Sequence, residues 1–416
     1  MTQIQVYNEI GRLRKAILHR PGHETRNYPE GQFSQIFTLR PSSNSFDLAK
    51  ALDEHRNYAE MLEREGVEIA YLDQLLVEAL AVSPNIRATF IDSFVAECGA
   101  TGEELQAAIR SQLDRASSPA DLAKTAIEGI RYGEAFHDEP DNDRLAVFTG
   151  EAYAAEALLV NPLNTMWFTR DPASAIGNGI TLNHMYWPER NRETLLYKTI
   201  IEHHPMFADT PIFYRHESSF HLEGGDLINL NRNNIAVGIS QRTESAAIDT
   251  LARQLLWNPQ SDIDAVWAIK VPDEDLCIHL DTYLSRVDYD SFVIDRHLLN
   301  ETNVYCLSRG RKEGACRIRA VEGGVKEALS AALGTATIDF IPCGGLNSRS
   351  ADSERANNAA SVLCLKPGKV CVYAENVDTN RALEQAGIEL VPISIFELTS
   401  GFGGPNCLCL PIQRDE

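Results

Sequence analysis

The chain lacks the marks of several large protein classes. Its nine cysteines (Cys98, Cys277, Cys306, Cys316, Cys343, Cys364, Cys371, Cys407 and Cys409) are odd in number and scattered, with no C-x-x-C pair. That pattern argues against a disulfide framework and against a structural zinc site. Basic residues are few: 38 Lys and Arg stand against 59 Asp and Glu, a net charge of −21. Neither a nucleic-acid footprint nor a polybasic membrane contact can be built from so little clustered positive charge. No run approaches the roughly 18 apolar residues that a spanning helix needs. The first residues, Met1 to Glu9, carry neither a basic n-region nor an apolar h-region, so no secretory signal is expected. No G-x-G-x-x-G or G-x-x-x-x-G-K-[ST] stands between a strand and a helix, which leaves a nucleotide-binding fold without support. The expectation is a reduced, cytoplasmic protein.

What is present is enough for a large core: 416 residues, 44% of them apolar. Arg12–Arg20 reads as a first strand stopped by Pro21-Gly22. A helix over 46–65 follows, with Gly66 as its C-cap, then a strand over 67–72. Near the other end, a helix over 379–386 closes at Gly387 and leads into a strand over 388–393. The two units align, Leu62-Glu63-Arg64-Glu65-Gly66-Val67-Glu68-Ile69 over Leu383-Glu384-Gln385-Ala386-Gly387-Ile388-Glu389-Leu390, which suggests repeated β/α modules. Residues 75–143 differ. Thr101-Gly102-Glu103-Glu104 is a capping-box pattern, and Ser118-Pro119 opens another helix. This stretch reads as a helical insertion, ending in a charged linker before strands at 145–148 and 157–160. Beyond it strands and helices alternate: a hairpin across Asn231–Asn234, a helix over 245–256, strands over 266–271 and 277–284, a helix over 325–333 and a strand over 338–341. The class is α/β or α+β.

Chemistry-bearing residues cluster in four motifs. Ser400-Gly401-Phe402-Gly403-Gly404-Pro405-Asn406-Cys407 brings a low-bulk loop up to a cysteine, so that a ligand can approach the backbone closely. Cys409 is the weaker thiol candidate, since the glycine loop does not directly precede it. His279-Leu280-Asp281-Thr282 places imidazole and carboxylate two apart, on one face if the segment is a strand. Glu223-Gly224-Gly225-Asp226 sets a carboxylate on either side of a tight bend, and Phe168-Thr169-Arg170-Asp171-Pro172 sets one after an arginine. Each has a plain structural alternative: a core thiol, a buried His–acid pair, a turn, a surface ion pair. Together they supply a thiol, an imidazole and several carboxylates, the equipment for chemistry on a cationic carbon.

The identity and order of these motifs resemble the arginine deiminase family of guanidino-modifying enzymes. Met185-Tyr186-Trp187-Pro188, Arg192-Glu193-Thr194-Leu195-Leu196 and Gly11-Arg12-Leu13-Arg14-Lys15 match as well, so the likeness covers nearly the whole chain. The resemblance implies a pentein fold, a five-bladed α/β propeller of ββαβ modules over 1–74 and 144–416, with a helical domain inserted over 75–143. It implies hydrolysis of a guanidino C–N bond, L-arginine and water giving L-citrulline and ammonia. In that scheme Cys407 is the nucleophile and His279 the acid and base. Glu223 orients His279, and Asp171 and Asp281 grip the guanidinium. Arg190, Arg242 and Asn164 are the counterparts of the residues that hold the substrate carboxylate, and Phe168 and Asp226 belong to the binding set. No metal or organic cofactor is required. The expected partner is a small guanidino substrate, with self-association into a homo-oligomer.

Departures gather at the substrate end. Phe402 stands where the family usually carries an arginine, Asn164 lies one residue further from Asp171 than usual, and the loop 35–42 and the segment 347–352 differ. Arg40 is a candidate to replace the missing cation. A modified guanidino amino acid, an amidinotransferase reaction and a non-catalytic propeller that only binds are the alternatives.

Overall fold

The structure, a computed structural model, describes residues 4–27, 46–136, 156–272, 278–299, 302–345 and 348–416, without the side chains of Ser348 and Arg349. The expected strand at 145–148, the loop 35–42 and Arg40 lie outside these residues.

Five sheets recur on one plan. In the first, Leu13–Leu18 pairs antiparallel with Leu410–Arg414 and parallel with Glu68–Tyr71, and the helix Leu48–Arg64 makes the parallel crossover. The second joins Ala173–Ile176 antiparallel to Gly179–Leu182, which runs parallel to Ile212–Tyr214. The third repeats this with Leu227–Asn231, Asn234–Ile239 and Ala265–Lys270. The fourth uses Leu284–Arg286, Ser291–Ile294 and Asp339–Pro342. The fifth uses Leu363–Lys366, Lys369–Tyr373 and Glu389–Ile393. The third sheet alone is extended, by a hairpin of Val304–Arg309 and Cys316–Ala320.

The repeated helix–Gly–strand units occupy equivalent places in the first and fifth sheets. Gly66 and Gly387 both have φ of +85°. A residue with a Cβ is strained there, so glycine ends each helix and turns the chain into the parallel strand. Asp47 caps the first of these helices, accepting from the Ala49 and Lys50 amides.

Between the first and second sheets run the helices Leu72–Ala81, Pro84–Glu97, Glu103–Asp114 and Pro119–Glu128. Ser118 accepts from the Asp121 amide, as its place before Pro119 suggests. The capping box at Thr101 does not form: the N-cap is Gly102, at φ +107°, with no side-chain cap. The apolar faces of these helices merge with Ile4, Val6, Ile17, Leu182 and Leu195 in one core. They have no separate hydrophobic centre among the described residues.

A second core holds Leu13, Ala16 and Leu18 of the first strand together with Tyr58, Met61 and Leu62 of the first helix, and it includes Cys407, Leu408 and Cys409. The loop before Cys407 is pinned from two sides: the Tyr58 hydroxyl donates to the Pro405 carbonyl at 2.9 Å, and the Trp167 indole donates to the Leu398 carbonyl at 3.0 Å. Both bonds are buried, so losing a donor strands a carbonyl. Tyr58→Phe is therefore expected to cost about 1–2 kcal/mol, read as a lower Tm or denaturation midpoint with an unchanged m-value.

Candidate functional site

Cys407 lies directly between the end of the glycine loop and the strand Leu410–Arg414. Its amide donates to the Gly404 carbonyl at 3.1 Å, and its carbonyl accepts from the Arg170 amide at 3.3 Å. The thiol is buried, 3.7 Å from Asp281 Oδ2 and 3.5 Å from Ser361 Oγ. The glycines serve packing here. A Cβ at Gly403 would collide with the Phe168 ring, and one at Gly404 would stand 2.7 Å from Ser361 Cβ and its carbonyl oxygen. Phe168 is buried against Trp167 and this loop. Phe402 is half-buried at φ +66°, a left-handed conformation that an aromatic residue seldom adopts.

His279 and Asp281 do meet at the site, although not on a strand. His279 is extended, and Leu280–Thr282 then form a single 3₁₀ turn before the strand Leu284–Arg286. Thr282 explains the turn, because its hydroxyl donates back to the His279 carbonyl at 2.6 Å. His279 Nε2 donates to Glu223 Oε2 at 2.7 Å, and Glu223 Oε1 accepts from the Tyr186 amide at 3.0 Å. Gly225 makes room for the imidazole: an added Cβ would lie 2.7 Å from His279 Cγ and Nδ1. Asp226 is spent on the scaffold. Its Oδ1 takes the Leu280 amide at 2.9 Å and its Oδ2 the Ser240 hydroxyl at 2.6 Å, which locks the Glu223 turn to the His279 turn.

Asp171 and Asp281 share one arrangement. Asp281 Oδ2 accepts from Asn406 Nδ2 at 2.9 Å, and Asp171 Oδ2 accepts from Arg190 Nη1 at 3.0 Å. The Oδ1 of each is buried with no hydrogen-bond partner. Behind them Arg170 forms a buried pair with Glu9 at 2.9 Å. Asn406, Ser361 and the Glu9–Arg170 pair were not singled out from the sequence. Asn406, next to the cysteine, was the one with a positional hint.

The charges follow from this packing. Burial pushes the Cys407 thiol well up, and the negative charges of Asp281 and Asp171 push it further. Burial also raises the Asp281 carboxyl, against the opposing charges of His279 and Arg170. For His279 burial works against the charged form. The hydrogen bond to Glu223 and the charges of Asp171 and Asp226 outweigh it, raising the imidazole to about 9. Glu223 is also opposed by burial, yet His279 and Arg242 lower it to about 2. Burial lifts Asp226 to about 6. The pair is thus an imidazolium on a carboxylate at neutral pH, beside a protonated thiol.

The residues read as a carboxylate clamp are placed differently from one another. Arg190 is committed to Asp171 and, through two further bonds of 2.9 Å, to Glu193. Arg242 lies 5.3 Å from the Tyr186 ring and 5.6 Å from the Trp187 ring, with Glu223 at 3.6 Å. Asn164 is half-buried in the turn before Phe168. Among the described residues no group of three or more His, Cys, Asp or Glu side chains could hold a metal ion, and no helix is long and apolar enough to cross a membrane.

The chain is similar to several known proteins. A family model described as arginine deiminase matches residues 43–414. The chain is 33% identical over 422 residues to an arginine deiminase of Treponema denticola, covering 100% of both chains. It is 35% identical over 421 residues to one from Clostridium perfringens, covering 99% of this chain and 98% of the other. Among solved structures, DDAH from Pseudomonas aeruginosa complexed with citrulline matches with a TM-score of 0.52 at 12% identity, over 96% of this chain and 99% of that one. An inosamine-phosphate amidinotransferase from Streptomyces griseus matches with a TM-score of 0.53 at 12% identity, over 100% and 98%. These two likenesses speak for the mixed α/β fold of such enzymes. With a family match over most of its length and relatives a third identical throughout, the chain belongs to the arginine deiminase family.

Proposed function

We propose that the protein hydrolyses L-arginine to L-citrulline and ammonia through a covalent intermediate on Cys407. The carrying observation is the pair of orphaned oxygens, Asp171 Oδ1 and Asp281 Oδ1. Two buried carboxylate oxygens without donors are costly, about 1–3 kcal/mol each or more. A guanidinium repairs both, because its planar N–H edges match carboxylate oxygens and carry the compensating charge. The thiol is held 3.7 Å from one of these carboxylates, so a guanidinium seated there brings its carbon to the sulfur.

The sequence of steps follows from the charges. Without substrate the thiol keeps its proton, because burial disfavours the thiolate and Asp281 and Asp171 oppose a third negative charge. A bound guanidinium offsets those carboxylates, and the thiol proton is lost to solvent. Sulfur attacks the guanidinium carbon and forms a tetrahedral adduct. The His279 imidazolium passes its proton to the departing nitrogen, the C–N bond breaks, and ammonia leaves a thiouronium on Cys407. The imidazole, now neutral, takes a proton from water. The oxygen adds to the carbon, the C–S bond breaks, the hydroxyl proton passes to the departing thiolate, and citrulline leaves with the thiol and the imidazolium restored. Glu223 holds the imidazole in place and stabilises its charged form throughout. Arg242, backed by two aromatic rings, receives the substrate carboxylate.

The five sheets support a closed five-bladed propeller, since each repeats an antiparallel pair followed by a parallel strand, and the first sheet joins both ends of the chain. The helices between the first and second sheets are the inserted unit of such a propeller, over 75–143. The 3₁₀ turns that carry Glu223–Asp226 and His279–Asp281 pack on each other at its centre through Asp226.

Ammonia release from arginine without any added amine tests the reaction. Turnover that begins only when glycine or ornithine is supplied identifies an amidinotransferase instead. Cys407→Ala is expected to abolish ammonia release while calorimetry still detects arginine binding; full hydrolysis by that variant removes Cys407 from the mechanism.

The pH profile provides an independent check. His279 is raised, so its protonated form persists through neutrality and is lost as pH climbs through about 9. Its contribution to stability has the same sign, present in full below the ordinary 6.5 and gone above about 9. The rate on arginine should fall on an alkaline limb near that value. Glu223→Gln removes the anion that favours the imidazolium, and should move the limb down by about one pH unit or more. An unmoved limb assigns it to another group.

A further inference from the structure

The sulfur of Cys407 has two polar side chains beside it, and they differ in what they can do. Asp281 Oδ2 lies 3.7 Å away and accepts from the thiol. Ser361 Oγ lies 3.5 Å away, on a residue with no exposed surface. An ionised carboxylate only accepts, so Asp281 suits the protonated thiol and repels a thiolate. A hydroxyl accepts or donates, and its proton turns to match the partner. Among the described residues the sulfur is the hydrogen-bond partner of the Ser361 hydroxyl.

The fold fixes that hydroxyl in place. Ser361 stands just ahead of the strand Leu363–Lys366, and its amide donates to the Asn358 carbonyl at 2.9 Å. The glycine loop runs directly against it: a Cβ at Gly404 would lie 2.9 Å from Ser361 Oγ. The missing side chain at Gly404 therefore lets serine and cysteine close on each other from 46 positions apart. The reaction needs a donor to sulfur twice. Sulfur carries negative charge before it attacks, and it develops that charge again as the C–S bond breaks. Burial, Asp281 and Asp171 all oppose the charge, whereas the Ser361 hydroxyl and the Gly404 backbone favour it.

We infer that Ser361 is a catalytic residue, its hydroxyl donating a hydrogen bond to the Cys407 thiolate in both halves of the reaction. This rests on the proposed hydrolysis and adds to it a group that steadies the sulfur anion. No proton leaves the serine. Its O–H donates while sulfur is anionic, and the contact relaxes once sulfur is bonded to the guanidinium carbon.

Alkylation of Cys407 by iodoacetamide reads the thiolate independently of hydrolysis, and mass spectrometry of the Cys407 peptide separates it from the other cysteines. At one mildly alkaline pH, Ser361→Ala should slow this alkylation about tenfold, the scale of a lost hydrogen bond to a charged acceptor. The kcat/KM on arginine should fall by a similar factor. In the Cys407→Ala background, Ser361→Ala should leave the calorimetric Kd for arginine within twofold, because the hydroxyl serves the sulfur and not the substrate. Ser361→Thr keeps a hydroxyl and should recover part of the alkylation rate. An unchanged alkylation rate in the alanine variant, or no recovery with threonine, overturns the inference. A tenfold weaker Kd for arginine overturns it too, by making Ser361 a substrate contact. Absence of arginine hydrolysis by the unaltered protein sinks the underlying reaction instead, while the alkylation rates still decide whether Ser361 holds the thiolate.

Discussion

Negative charge without enough partners, held out of water around a thiol, is the constraint that organises this molecule. Asp171, Asp281, Glu223 and Asp226 are all buried, and each contributes to the charge felt by His279 or Cys407. A fold can keep so many acids inside only if each is tied by other bonds, and each tie is visible. Asp226 is satisfied by Leu280 and Ser240, Glu223 by His279 and Tyr186, and one oxygen of each remaining aspartate by Asn406 or Arg190. What remains unsatisfied is a pair of carboxylate oxygens, Oδ1 of Asp171 and of Asp281, which call for a cationic donor. Burial and the same unbalanced charge keep the Cys407 thiol protonated, a form less reactive toward oxidants and stray electrophiles than a thiolate.

Local physics made part of this legible from the residues. Gly66 and Gly387 announce helix ends because a left-handed residue is needed where a helix turns into a parallel strand. Ser118 before Pro119 announces a helix start for similar reasons. The His279–Asp281 spacing pointed to a shared destination, but the strand reading was wrong. A period of two is also met by an extended residue followed by one 3₁₀ turn, and it is the Thr282 hydroxyl that selects the turn.

Other parts depend on contacts that no local pattern encodes. The glycines before Cys407 look like space for a ligand, and only the fold reveals Phe168 and Ser361 occupying that space. The grip of Glu193 on Arg190 has helical spacing and could be read from sequence. The grip of Asp171, 19 positions away, could not. The family likeness puts Asp226 in the binding set, and in the fold both of its oxygens take hydrogen bonds from within the protein. Family likeness conveys which residues gather; it does not convey which of them have hydrogen-bonding capacity left to offer.

The pairing of Leu13–Leu18 with Leu410–Arg414 brings together positions some 401 apart, as the Arg14–Asp415 ion pair on that seam shows. A contact of such separation carries a large loop-closure entropy and is among the slowest to form. Cys407 sits just ahead of the later strand and is packed in the same core as the earlier one. Until that seam zips, the thiol has no fixed place beside Asp281, whatever the state of the other sheets. The Cys407 thiol is therefore seated by a pairing of the two ends of the chain, and a partly folded molecule would lack the arrangement of thiol and carboxylates described above.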